Sequence, residues 1–176
     1  VDIEVRPELV SKFGIEKSGT VLVQYSGKEQ KVTALSELAI TNAIVKVSRA
    51  KDPVVFYSTG HGELNLKNNE NEGGTYLSQL LVQGSYDLRL IKLSAYSELP
   101  NFVAALVIWG PKQGFHPIEL EVIKNYIKRG GRLMVALDPN VENDKVKDLR
   151  KLLIELGVEI ENNLVVDRLK HINGSN

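Results

Sequence analysis

Cysteine is absent from the 176-residue chain. That removes disulfides, thiolate metal ligands and a cysteine nucleophile, and leaves the redox compartment open. An excess of charge is missing too, since 22 Lys and Arg are balanced by 22 Asp and Glu. Electrostatic binding to nucleic acid or anionic lipid needs a basic surplus, at least locally. No run supplies one, so nucleic acid is not expected as a partner. Long apolar runs are also lacking. The longest, Phe102–Trp109, falls far short of the roughly 20 residues that cross a bilayer. Membrane attachment is therefore expected only through segments outside this chain. No signal peptide is visible and position 1 is Val rather than Met, which reads as an excised fragment.

What remains suits a folded domain, because 43% of the residues are hydrophobic and 25% charged, enough to bury a core. The first part of the chain reads strand, helix, two strands, helix. Val1–Val5 alternates like a short strand. Pro7 opens a helix that Gly14 ends in the left-handed conformation. Thr20–Tyr25 and Gln30–Leu35 form a hairpin about Ser26-Gly27-Lys28. Ser36 caps a helix that runs to about Arg49. Asp52, held out of helix by Pro53, closes a first domain at 1–52 and leaves a second at 53–176.

In the second domain Val54–Ser58 is a continuous apolar strand. An Asn-rich loop covers Asn65–Gly74, and Thr75 caps a short helix through Gln83. Strands follow at Leu88–Leu93 and Ala104–Trp109. Pro117 begins a helix with Ile118, Val122, Ile123, Tyr126 and Ile127 at helical spacing, and Gly130-Gly131 ends it. Arg132–Leu137 reads as a buried strand. A helix carrying Val146, Leu149, Leu153 and Leu156 precedes a last strand at Leu164–Val166. Helices alternating with continuously apolar strands predict an α/β fold with a mostly parallel, doubly wound sheet.

Such sheets bind ligands outside the carboxyl ends of the strands, near the point where strand order reverses. Three loops leave strands at that edge: Thr59–Glu63, Gly110–Lys112 and Asp138–Asn140. One reading is a polar pocket of His61, Glu63, Trp109 and Asp138, with Gly60, Gly62 and Gly110 shaping its turns. The other is structural: Gly60 and Gly62 make a tight turn while His61 and Glu63 bond nearby backbone. A metal site from His61, Glu63 and Asp138 is conceivable by donor type, but no metal and no cofactor are expected. His116 reads as a helix-start residue, and His171 lies far along the chain. Glu70 and Glu72 depart from the spacing of a calcium loop. No Gly-x-Ser-x-Gly elbow is present, and Gly60-His61-Gly62 lacks the Lys-Ser/Thr ending of a phosphate loop.

The segment Val54–Glu63, with its strand and Gly-His-Gly-Glu ending, resembles the ABC-type uncharacterised transport system auxiliary proteins, including gliding-motility-associated, GldG-like members. Tyr76-Leu77, Leu80-Leu81, Leu106–Pro111 and Tyr126–Pro139 continue the resemblance, as do Glu37 and Thr41–Ile44. It implies a membrane-anchored protein with this region outside the cytoplasm, in the periplasm, beside an ABC-2-type permease and an ATPase. It also implies a flavodoxin-like, class I glutamine-amidotransferase-like main domain. Enzymes of that fold carry a cysteine after a central strand, whereas the matching stretch Met134–Asp138 has none. The resemblance thus implies a binding or scaffolding module rather than an enzyme, with homo-oligomerisation left open. Residues 1–50 similarly resemble the second half of a thioredoxin-like domain, with Ser18-Gly19 where that family has proline. The rival readings are a hydrolase or transferase using His61, Glu63 and Asp138, and a small-molecule-binding domain.

Overall fold

The computed structural model describes residues 6–68, 74–138 and 145–161. The strands expected at Val1–Val5 and Leu164–Val166 lie outside the described residues, as do Glu70, Glu72, Pro139, Asn140 and His171. The chain divides into two compact units, one of residues up to Pro53 with Leu77–Asp87, the other of Val54–Tyr76 with Leu88 onward.

In the first unit, α1 (Pro7–Phe13) has proline in its first turn and Gly14 at φ 54° as its cap, a conformation that glycine adopts without a Cβ penalty. Strands β1 (Val21–Tyr25) and β2 (Lys28–Val32) are antiparallel, with Tyr25 opposite Lys28. The turn is therefore only Ser26-Gly27, both at positive φ (48° and 81°), the mirror-image geometry that matches strand twist. This tight turn starts β2 earlier than the sequence suggested and ends it at Val32 rather than Leu35. Helix α2 (Glu37–Ser48) begins as expected, the Ser36 hydroxyl accepting the Ala39 N–H at 3.2 Å. It packs on the hairpin and buries Ala43 and Val47. Helix α3 (Thr75–Gln83) starts one residue earlier than expected. Thr75 is its first residue, and the Thr75 hydroxyl donates to the Asn68 carbonyl at 2.7 Å instead of capping.

The second unit is built on four strands, β3 (Val54–Ser58), β4 (Asp87–Ile91), β5 (Val103–Trp109) and β6 (Leu133–Ala136). They lie in the order β4-β3-β5-β6. Pairing is parallel between β3 and β5 and between β5 and β6. On the other side of β3, the Asp87 N–H bonds the Pro53 carbonyl and the Thr59 N–H the Ile91 carbonyl, which sets β4 parallel as well. This is the α/β sheet expected, and its order matches the first four strands of a flavodoxin-like sheet. The order reverses between β3 and β5, so their carboxyl ends form the switch point.

Phe56, Leu106 and Ile108 point into one core with Val122, Ile123 and Tyr126 of α4 (Pro117–Lys128) and Leu149, Leu152 and Leu153 of α5 (Lys147–Glu155). On the other face Val55, Tyr57 and Val107 are buried too. Burial on both faces explains why β3 and β5 are unbroken apolar runs. Each fully buried Leu or Ile side chain contributes about 1.5–3 kcal/mol. Two expectations are corrected. Strand β6 is not buried throughout, because its outward residue Met134 is 46% exposed. The strand expected to reach Leu93 stops at Ile91, and Leu93 opens a 3₁₀ turn through Ala95. Among the described residues no helix is long and apolar enough to cross a membrane.

Candidate functional site

At the switch point the three expected loops converge. The Leu64 N–H bonds the Trp109 carbonyl (2.9 Å), the Gly110 N–H the Ala136 carbonyl (2.8 Å), and the Lys112 and Gln113 N–H groups the His61 carbonyl (2.7 and 2.9 Å). Between them lies a cavity of about 540 Å³ lined by Gly62, Glu63, Leu64, Asn65, Asn68, Trp109, Gly110, Lys112 and Asp138. Gly62 and Gly110 adopt φ 76° and 59°, open to glycine at little cost. A Cβ on Gly62 would also meet the Lys112 Cβ at 3.1 Å, so the approach of the two walls requires glycine there.

Glu63, Trp109, Gly110 and Asp138 thus share one crevice, with Gly62 on its wall. Gly60 is an exposed turn residue at φ 117° outside the lining, and His61 is a correction. Its side chain does not line the crevice but is buried beneath it, stacked on Phe115 with ring centroids 4.1 Å apart. His61 Nδ1 lies 3.0 Å from the Gly114 carbonyl and Nε2 3.1 Å from Glu119 Oε1. The physical reason is chain geometry. Gly60 and Gly62 flank His61 with positive φ, which turns its side chain toward the β5–α4 connection while Glu63 returns to the rim.

Glu63 serves the turn as well as the crevice. One carboxylate oxygen accepts the Ser58 hydroxyl at 2.6 Å, the other the His61 N–H at 2.7 Å. Ser58 is wholly buried and committed to that bond. Below it, the Tyr57 hydroxyl donates to the Leu64 carbonyl at 2.7 Å. Burial first, and the Glu63 charge second, push that phenol up to about 12. Among the described residues no group of three or more His, Asp or Glu is placed to hold a metal ion.

Sequence reasoning missed four contributors. Leu64 carries no site pattern and Asn65 and Asn68 read as part of the Asn-rich loop, yet the Leu64–Trp109 bond folds that segment over the end of β5. Glu119, an acidic residue in the first turn of α4, carries no sequence mark of a site. It does take the His116 N–H at 2.8 Å, but it is only 2% exposed because its other oxygen faces His61. No local pattern signals a pair 58 residues apart.

Residues 52–173 match the family described as ABC-type uncharacterized transport system. The human (Homo sapiens) protein named intraflagellar transport protein 52 homolog is 28% identical over 93 residues, 53% of this chain and 21% of that protein. The chain therefore spans about a fifth of that relative's length. No solved structure matches. The family match covers more than half of the chain and takes in both central strands, the crevice loops and the two helices of the core, so the chain belongs to the ABC-type uncharacterized transport system auxiliary family.

Proposed function

We propose that this chain is a non-catalytic, extracytoplasmic accessory module of an ABC-2-type transport system, and that the switch-point crevice is where it engages partner subunits or a solute. Membership of the auxiliary family supports the association with such a system. The observation that carries the binding reading is the chemistry of the crevice. Its described lining offers an indole, two amides, a lysine and two carboxylates, and no hydroxyl or imidazole. Ser58 and His61, the side chains a covalent or acid–base mechanism would recruit at this edge, are buried and bonded elsewhere. That favours recognition over a covalent or imidazole-based mechanism at this edge, since such a mechanism needs the serine or histidine within reach of bound substrate.

The test is co-purification of the full-length protein with the neighbouring permease and ATPase in mild detergent. The wild type should be retained. A variant carrying Trp109→Ala and Asp138→Lys should fold normally but be lost from the complex. Absence of any association by the wild type would end this reading, and full retention of the double variant would remove the crevice from it.

A further inference from the structure

Beneath the crevice His61 and Glu119 form a buried pair. The Gly114 carbonyl can only accept a hydrogen bond, so the contact at 3.0 Å requires a proton on His61 Nδ1. The contact between Nε2 and Glu119 Oε1, at 3.1 Å, requires a second proton. If Glu119 is a carboxylate, His61 is the imidazolium; if His61 is neutral, Glu119 is the carboxylic acid. In either form the pair is electrically neutral overall, as its burial demands, with His61 7% and Glu119 2% exposed. The other Glu119 oxygen is filled by the His116 N–H, and no Lys or Arg pairs with Glu119 among the described residues. The remaining charged groups nearby are Glu63, which takes the His61 N–H, Lys112 on the adjoining wall, and Asp148 of α5, 3.7 Å from a Cβ built on Gly114.

The same residue ties the crevice walls together. The His61 carbonyl accepts the N–H groups of Lys112 and Gln113, while its ring is held by Gly114, Phe115 and Glu119 of the β5–α4 connection and α4. Main chain and ring thus anchor the Gly62–Asn65 wall to the Trp109–Lys112 wall through one residue. We infer that His61 and Glu119 form a proton-sharing latch, with His61 the positioning residue that holds the two walls of the crevice in register. The latch is read from geometry alone; only its consequence for binding rests on the crevice being the functional site.

Glu119→Gln separates a latch from mere packing. A glutamine carbonyl can accept the His116 N–H while its NH₂ donates to His61 Nε2, so both bonds survive without the shared proton. Glu119→Ala loses both and leaves a buried imidazole without its partner. In the purified full-length protein the alanine variant is expected to melt about 10 °C lower, and the glutamine variant within about 3 °C of wild type. Failure of the alanine variant to fold beside a folded glutamine variant is the same result in stronger form. In ¹⁵N-histidine-labelled protein, His61 Nδ1 should carry a proton that exchanges slowly with solvent. Equal melting temperatures for the two variants, or an unprotonated Nδ1, overturn the inference. Neither readout needs a ligand, so a failed co-purification leaves this result standing.

Discussion

Glu63→Ala tests whether the crevice turn is held as described. The substitution strips the acceptor from two donors at once: the Ser58 hydroxyl, wholly buried and 2.6 Å away, and the His61 N–H at 2.7 Å. Stranding a buried donor costs about 1–3 kcal/mol. The turn borders solvent, which lets water reach part of the gap, so the expected loss is about 2–4 kcal/mol for the two together. At roughly 2–4 °C per kcal/mol for a chain of this size, the melting temperature falls by about 4–16 °C. Glu63→Gln should cost much less, because its carbonyl can serve the His61 N–H while its NH₂ donates to the Ser58 oxygen. The assay is thermal denaturation followed by far-ultraviolet circular dichroism, run as a cycle with Ser58→Ala. Removing both members of the Ser58–Glu63 bond leaves one fewer stranded donor, so the double variant should be less damaged than the sum of the singles, by about 1 kcal/mol. An alanine variant that melts with the wild type, or strictly additive losses, would refute the account of the turn.

Three further outcomes are expected. The Tyr57 phenol, raised to about 12 from an ordinary 10, favours its neutral form in the fold. Its contribution is whole below pH 10 and is lost as pH climbs from 10 toward 12, by roughly 2 kcal/mol. Tyr57→Phe should flatten that alkaline decline in a melting series, and an unchanged decline would exclude Tyr57 as its source. Gly131→Ala places a Cβ about 2.5 Å from the Tyr126 carbonyl oxygen and ring, and overpacking of this kind should destabilise the protein by about 1–3 kcal/mol in urea unfolding. Leu106→Ala opens a hole at a 0% exposed position in the core and should cost about 2–5 kcal/mol in the same assay.

Much of this fold is legible in the sequence because its signals are local. Val54–Ser58 is an apolar run between Pro53 and a glycine-rich turn, and Pro117 and Gly130 bracket α4. The approach of three loops at one rim also follows from sequence, since parallel strands deliver their carboxyl ends to one edge. The structure departs from the sequence pattern where the deciding interaction is long-range or conformational. His61 and Glu63 differ by two positions and are equivalent by sequence pattern. The positive φ of Gly60 and Gly62 sends one inward to Glu119 and leaves the other on the wall. Met134 sits in an apolar run that reads as buried, yet its exposure depends on what covers β6, which no local pattern encodes. The hairpin is tighter than its sequence suggests because Ser26 adopts positive φ, a conformation that composition disfavours and strand twist rewards.

The polar groups at this edge divide by depth, and that division bears on what the crevice can do. Ser58, His61 and Glu119 lie inside and spend their hydrogen bonds on one another, on Glu63 and on backbone. Lys112, Asp138 and Trp109 lie on the wall, and among the described residues no hydrogen bond of the inner network engages their side chains. A functional site keeps its contact groups at the surface of the cavity and their supports behind them. Here Ser58, His61 and Glu119 are the supports, and Lys112, Asp138 and Trp109 are what faces the cavity. Charge reversal at Lys112 and Asp138 should therefore disturb association while sparing the melting temperature, whereas Glu119→Ala should disturb both. If instead wall and interior variants fail in the same proportion, the separation of scaffold from contact surface does not hold and recognition must lie elsewhere on the protein.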